Sequence, residues 1–385
     1  MKDVLVIAGS LWQKPLVEYM LKHYSVHVVN PVETETTKLA HHIQKDIFDI
    51  EGIKESISGL DLEFVVTDQS DVAVVPATML SKELGLPCND IEAVIRFSDK
   101  FKCWELANSL GIPCLRSKVA YSLEEAVKAA EKLGYPAVLK PVDSSASKGV
   151  FLVNSEDELR SFFARSLARS RNKKLILQEY AKGEWQLVVE GLCSNGKHSS
   201  VSCGLIHRSW TARQVPMLPY ILWPHDPPEG LIEANNKFVE NSGLKFGITH
   251  AEYVLDDGKF KLLEIGCRGG GFKISSHIVP WVSGINLYDA LHRSLKGEVV
   301  SLPELVHKRS ALLQFFQEHE YPTSMPEFEV PGIFEWISHV SQDFHHNPDN
   351  LRHSYLIALA ENRSNLSKLV EDIKGRSPCR DIPNL

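Results

Sequence analysis

Two glutamates in the stretch "HAEYVLDDGKFKLLEIG" (250–266), Glu252 and Glu264, flank an Asp-Gly turn signal and could share one cation. If Asp257, Gly258 and Lys259 form a three-residue loop, Glu252 lies directly opposite Glu264 on one sheet face, with Cβ atoms about 4.5–5.5 Å apart. A two-residue loop would put them on opposite faces. Opposed like charges are destabilising unless a cation lies between them. The same-face neighbours of Glu264 on its own strand, Leu262 and Gly266, supply none. Mg²⁺, with Mn²⁺ as the alternative, is a hard ion commonly held by one or two carboxylates plus substrate phosphates. The competing reading is two solvated acids on an edge strand.

Lys140 ends the apolar run "YPAVLKP" (135–141), just before the Ser-containing loop Asp143 to Gly149. Small residues let backbone N–H groups approach phosphate oxygens, and Ser144, Ser145, Ser147 and Lys148 add donors. Lys100, near the start of a helix, is a second candidate phosphate lysine. "QEYAKGEW" (178–185) ends a strand with exposed main chain and two acids, Glu179 and Glu184. Backbone groups there suit a nucleotide base, and a carboxylate suits ribose hydroxyls. In "EIGCRGGG" (264–271), Arg268 presents a planar fork suited to an oxyanion, and Gly269 to Gly271 read as room for a substrate to approach the backbone.

The elements that must hold these groups are legible in part. Residues 1–95 alternate strand and helix: "VLVIA" (4–8), a helix over roughly 13–23, "VHVVN" (26–30) and "EFVVT" (63–67) read as a small parallel sheet. Only Gly9 follows the first strand, so the GxGxxG dinucleotide fingerprint is absent. Ser98 or Asp99 can cap the helix that begins near Lys100 and ends at Gly111. Ser122 with Glu125, and Ser155 with Glu158, read as capping boxes opening two helices of a compact α+β unit. After Gly183 the pattern turns antiparallel. Asn195-Gly196 joins one hairpin and Asp257-Gly258 a second. The Pro- and aromatic-rich segment 210–230 reads as a lid or substrate-entry loop, with Trp210 and Trp223 as an apolar wall. Residues 301–385 read as a smaller α+β appendage with a helix at 364–374.

Composition sets the frame. The chain of 385 residues is 43% apolar and 24% charged, ordinary for a globular protein of two or three domains. A net charge of −7 gives no broad electrostatic reason to bind nucleic acid or anionic lipid. No apolar run has membrane-spanning length. Seven cysteines without CxxC spacing fit a reducing, cytoplasmic setting.

In chain order, these motifs run lysine, lysine with serine-rich loop, Glu-aromatic-x-x-Gly-Glu, then Glu-x11-Glu-x3-Arg. This order resembles the ATP-grasp superfamily over roughly residues 1–300, most specifically at "KPVDSSASKGV", "QEYAKGE", "HAE" and "EIGCRGGG". It looks closest to the carboxylate–amine ligases, including L-amino-acid (dipeptide) ligases. The resemblance implies an α/β and α+β fold. A Rossmann-like domain (1–95) would precede a small lobe (96–180) and a large lobe (181–300), with ATP between the lobes and the appendage (301–385) following. By that resemblance Lys100, Lys140, Lys148 and the loop through Gly149 meet the phosphates. Glu179, Tyr180 and Ala181 would flank adenine, Glu184 the ribose, and Glu252 and Glu264 would hold Mg²⁺. Arg268, Lys140 and Lys148 would serve the chemistry. The implied reaction phosphorylates a carboxylate from ATP, and an amine then attacks the acyl-phosphate, releasing ADP and phosphate and forming an amide. Small-molecule acids and amines, amino acids first among them, are the expected partners, and a homodimer is an expectation of the same kind. Many relatives carry Asn where Gly266 stands, which puts the full metal shell in question. Alternatives are a biotin-dependent carboxylase or purine-biosynthesis enzyme of the same superfamily and, from another class, a non-catalytic ATP-binding regulatory module. Cys267 reads as packing, and His207, His250 and His277 are candidate bases of which none is assigned.

Overall fold

Val4, Leu5, Val6 and Ile7 are fully buried, as an apolar run covered on both faces requires. They form the strand Asp3–Ile7, parallel to Ser25–Val29 on one side and Leu62–Val66 on the other. A short strand His41–Ile43, which no sequence signal marked, extends this sheet beyond Ser25–Val29. The computed structural model describes residues 1–145, 147–210, 216–218, 220–316, 332–337 and 354–376.

A second, antiparallel sheet has the order Ser117–Ala120, Leu175–Glu179, Ala137–Pro141, Phe151–Val153. Helices Leu123–Leu133 and Glu156–Leu167 open at Ser122 and Ser155, whose hydroxyls accept from the N–H of Glu125 and Glu158. Both glutamates reach back one residue further than a capping box, to the N–H of Tyr121 (2.8 Å) and Asn154 (2.7 Å). The helices pack Ala126, Ala130, Leu159 and Phe163 against Leu139, Leu175 and Leu177.

The helix Lys100–Ser109 starts at Asp99, whose carboxylate accepts from the N–H of Phe101 (2.8 Å) and Lys102 (3.1 Å). Its second oxygen takes Lys174 Nζ at 3.0 Å, where both side chains are largely shielded. This helix packs Cys103 and Ala107 among Leu187, Val189, Tyr253, Leu262 and Ile265, so its core contacts lie with the third sheet. Asp99→Ala should therefore lower stability by about 2 kcal/mol, the sum of a lost cap and an orphaned ammonium. An unchanged urea midpoint would show that Asp99 does not hold this helix start.

The third sheet has eight strands in the order Lys259–Gly266, Phe246–Asp256, Trp185–Ser194, Lys197–His207, Tyr220–Trp223, Ser310–Phe316, Ser354–Ala360, Ile333–Ile337. The turn at Asn195-Gly196 has both residues at positive φ (50° and 73°), as a two-residue hairpin needs. Within the described residues, the strands of 301–385 continue this sheet, and Leu366, Leu369 and Val370 of the helix Arg363–Arg376 cover it. No break in the sheet falls at residue 300. Of the expected lid, Trp210 pairs with Pro216 in a short ribbon, and Tyr220–Trp223 is an inner strand. Residues 211–215 and 219 lie outside the described residues. Trp223 is fully buried in the main core, so it is not the substrate wall expected of it. Among the described residues no helix is long and apolar enough to cross a membrane.

Candidate active site

Glu252 does stand opposite Glu264, but by another route than a three-residue loop. Asp256 pairs with Lys259, so the turn is the two residues Asp257 and Gly258, at φ 49° and 72°. That register alone would separate the glutamates onto opposite faces. The pairing then shifts between Glu252 and Tyr253: Tyr253 faces Leu262, Glu252 faces Glu264, and Leu263 is the extra residue. A β-bulge of this kind re-aims a side chain beside a site. Ala251, Tyr253 and Ile265 point the other way, into the cluster that holds the Lys100–Ser109 helix.

The charge that offsets the carboxylates comes from outside their strands. Lys100 Nζ lies 2.9 Å from Glu264 Oε2 and donates to the carbonyl of Ser144 at 2.6 Å, bridging the second and third sheets. Burial would raise the Glu264 pKa, but Lys100, Lys140 and Arg268 outweigh it and hold the carboxyl down to about 2. Lys140 is 7% exposed, and its Nζ donates to Gln178 Oε1 at 3.0 Å. Burial, reinforced by Lys100, pushes its pKa down to about 8, against the pull of Glu264. Gln178 donates in turn to Ser117 Oγ at 3.1 Å, which fixes the amide's orientation.

Arg268 turns its fork to Asp71, which follows the strand Leu62–Val66 of the first sheet, with Nε–Oδ1 2.9 Å and Nη2–Oδ2 3.0 Å. Gly266 makes room for this pair, since a Cβ there would lie 3.3 Å from Asp71 Oδ1. An asparagine at 266 would have to displace that carboxylate or the Arg268 chain beside it. The glycines after Arg268 serve buried acids more than a substrate: Gly269 N–H donates to Asp68 at 2.6 Å and Gly270 N–H to Glu190 at 3.2 Å. Only around Gly271 is there open space of the kind expected for all three. A Cβ on Gly270 would stand 2.5 Å from Glu190 Oε1 and 2.9 Å from His250 Nδ1. Gly270→Ala should thus cost about 1–3 kcal/mol, whereas Gly271→Ala should stay within about 0.5 kcal/mol of wild type. Thermal unfolding of both variants checks the contrast, and equal melting temperatures would refute it.

Glu190 is fully buried and accepts from His250 Nδ1, while His250 Nε2 lies 3.3 Å from Glu252 Oε1. Burial disfavours the imidazolium, but Glu190 overrides it and raises His250 to about 9. That rise favours the imidazolium, the form with no lone pair to take a proton. His207 stacks on Tyr220 and His277 meets Ser276; neither borders the cavity described next. Burial pushes the Cys267 thiol up to about 12, consistent with packing.

These groups surround one cavity of about 420 Å³ between the sheets, a size suited to a small molecule. Lys100, Lys140, Ser144, Ser145, Ser147, Lys148, Glu179, Ala181, Glu252, Glu264 and Arg268 all border it. Gly149, Tyr180 and Glu184 do not. Gly149 (φ 75°) closes the serine loop, its carbonyl accepting from buried Ser166 Oγ at 2.8 Å. Tyr180 lies under the Arg208 guanidinium at 5.6 Å, and Glu184 is exposed. Glu179 is bound by Arg116 Nε at 2.5 Å.

Residues that sequence reasoning missed include Asp71, Gln178, Gln186 and Arg208, all bordering the cavity. Arg208 is 6% exposed and donates to the carbonyls of Ala181 and Gly183, pinning the segment between the sheets. Asp71 could have been suspected, because it follows the carboxyl end of a parallel strand, where ligands of open α/β sheets gather. Gln178 precedes Glu179 in the quoted motif, but nothing marked it as Lys140's partner.

The donor set fits a hard cation with phosphate oxygens. Glu252 and Glu264 offer oxygen only, and among the described residues no cluster of three or more His, Cys, Asp or Glu could hold a metal alone. Remaining coordination would have to come from a substrate, as is usual for Mg²⁺. The buried Gln186 Oε1 and the Trp210 Nε1 lack hydrogen-bond partners on the cavity wall, so a ligand with donors and acceptors would be matched there.

Residues 99–205 match the family described as the ATP-binding domain of the carbamoyl-phosphate synthase L chain. A formate-dependent phosphoribosylglycinamide formyltransferase of Corynebacterium efficiens is 24% identical over 194 residues, 49% of this chain and 48% of that protein. The chain spans between 17% and 48% of the length of the first curated relatives it matches. The L-amino acid ligase of Bacillus licheniformis superposes with a TM-score of 0.76 at 17% identity, covering 97% of each chain. The biotin carboxylase domain of Hydrogenobacter thermophilus 2-oxoglutarate carboxylase, solved with MgADP and bicarbonate, gives 0.75 at 16%, covering 97% and 89%. With residues 99–205 matched to an ATP-binding domain and the fold shared with these ligases over nearly its whole length, the chain contains a domain of that family and has the ATP-grasp fold.

Proposed function

We propose that this protein is an ATP-dependent carboxylate–amine ligase that forms an amide or peptide bond through an acyl-phosphate. The observation that carries the reading is the pair Glu252 and Glu264, opposed by a bulge and ringed by Lys100, Lys140 and Arg268 on one cavity. Phosphoryl transfer asks a protein mainly for positioning and charge neutralisation. Lys100, Lys140 and Lys148 with Ser144, Ser145 and Ser147, all on the cavity wall, would grip a triphosphate. Glu179 and Ala181 border the end of the cavity where a base would lie against the main chain that Arg208 pins. Glu252 and Glu264 are the residues that would hold Mg²⁺, which when bound neutralises phosphate charge. Arg268 would face the carboxylate and its acyl-phosphate. The carboxylate oxygen attacks the γ-phosphorus and ADP leaves; the amine then attacks the acyl carbon and phosphate leaves, with the amine proton passing to solvent. Such a route requires no covalent enzyme nucleophile, in keeping with the half-buried thiol of Cys267, whose pKa is pushed up to about 12. Amino acids are the first substrates to try, on the strength of the likeness to the Bacillus licheniformis ligase.

Release of ADP and phosphate should be followed with Mg²⁺–ATP and pooled carboxylic acids and amines. Turnover that needs both an acid and an amine supports the ligase. AMP as the nucleotide product would sink the acyl-phosphate route, and turnover dependent on bicarbonate alone would favour a carboxylase.

A further inference from the structure

The cavity has two walls of opposite character. One carries the Asp71–Arg268 ion pair, with side chains 24% and 12% exposed. The other is apolar and assembled from four parts of the chain: Trp12 near the N-terminus, Leu218 and Ile221 just before and within the strand Tyr220–Trp223, Phe272 after the glycine run, and Phe315 of the strand Ser310–Phe316. The Phe272 ring centre lies 4.7 Å from those of both Trp12 and Phe315. Phe272 and the next residue, Lys273, sit at φ 52° and 61°, a left-handed conformation that side-chain-bearing residues disfavour. Strain of this kind persists where the surroundings impose it, commonly beside a ligand. At Gln69, also on the wall and at φ 54°, the amide N–H₂ donates to Tyr288 OH, whose own proton goes to Asp68. Because that hydroxyl can only accept from Gln69, the amide oxygen is left without a donor.

We infer that the acid substrate is a zwitterionic α-amino acid with a bulky apolar side chain, and that Asp71 determines the choice by taking its ammonium group. This rests on the ligase reading and goes beyond it by naming the substrate class and its selector. In the free protein Asp71 and Arg268 neutralise each other. A plain carboxylate that took Arg268 would leave Asp71 shielded, with Lys100 near it but already paired with Glu264, the costly way to break such a pair. An α-amino acid replaces both halves at once, its carboxylate meeting Arg268 and its ammonium meeting Asp71. Discrimination then comes from penalising the wrong ligand as much as from attracting the right one. Its side chain would cover the apolar wall, where burying a Phe- or Leu-sized group is favourable.

The test is calorimetric titration of the full chain with L-phenylalanine, glycine and 3-phenylpropanoate, each with and without Mg²⁺ and a non-hydrolysable ATP analogue. L-Phenylalanine should bind at least about tenfold more tightly than either of the others. Asp71→Asn should bring L-phenylalanine and 3-phenylpropanoate to within about threefold, and Trp12→Ala should narrow the gap between L-phenylalanine and glycine. Affinity for the ATP analogue reports whether each variant is folded. Equal binding of L-phenylalanine and 3-phenylpropanoate by the wild-type protein would overturn the role of Asp71. Equal binding of glycine, or no binding of any of the three, would overturn the substrate class. Failure of the analogue itself to bind would instead overturn the ligase reading, because the titrations without it still read the amino-acid preference.

Discussion

Replacing Glu264 with glutamine is expected to lower Mg²⁺-dependent turnover at least about 100-fold while the chain still folds. Glutamine keeps the side-chain volume and one carbonyl oxygen, but removes half of the anionic charge that faces the cavity from the hairpin. Lys100, 2.9 Å away, loses its counter-ion. The side chains are 15% and 28% exposed, so the loss of stability should be roughly 1–3 kcal/mol, below that for a fully buried pair. A second reading of the same variant uses pH. The folded-state pKa of Glu264 is depressed to about 2 against an ordinary 4.5, so its contribution to stability is complete above the unfolded value. It is lost as pH falls from there through about 2. The glutamine variant should lack that part of the acid-denaturation slope. Turnover and Mg²⁺ half-saturation equal to wild type would remove Glu264 from the metal site, whatever the stability.

Lys140→Met should weaken binding of an ATP analogue at least tenfold without lowering the melting temperature of the nucleotide-free protein. Burial holds the Lys140 pKa down to about 8, so keeping the ammonium charged in this strand opposes folding at neutral pH. With a base whose folded pKa is depressed, that cost is complete below about 8 and is relieved as pH rises towards the unfolded value of 10.5. Methionine fills similar space without a charge, and replacing a buried ion by an apolar group is often neutral or stabilising. Against this stands the loss of Gln178's partner and of one positive neighbour of Glu264. A charged hydrogen bond to phosphate is worth about 1.5–3 kcal/mol, which sets the expected loss of affinity. An affinity equal to wild type would take Lys140 out of the phosphate site, and a melting temperature several degrees lower would show the lysine to be structural.

Local pattern made the ends of this site legible, and long-range contact made the rest. Lys140 stood out because a charge closes an apolar strand, and Asp99 because it precedes a helical period. The opposed glutamates were reached through two departures that cancel. The turn is one residue shorter than supposed, and Leu263 adds a residue that simple alternation along a strand cannot show. The glycine run could be seen, but its occupants could not: Asp68 and Glu190 lie 201 and 80 residues from the N–H groups they accept. Asp71 and Arg268 are 197 residues apart, and no periodicity links them. Trp223 was misjudged for the same reason, since its apolar bulk suits a wall or a core equally and the sheet decided for the core.

The strand Ser310–Phe316 seals the flank of Tyr220–Trp223. Every acidic and basic group of the cavity lies upstream of it, yet during synthesis those groups emerge before the sheet that carries them has its neighbour. A nascent chain ending near residue 300 would hold the whole set of charged residues and still display a bare row of amide and carbonyl groups along Tyr220–Trp223. Such an open edge is a template for pairing with other chains. Folding of the third sheet therefore has to wait for, or be protected until, the last strands leave the ribosome, so versions shortened to end near residue 300 should aggregate.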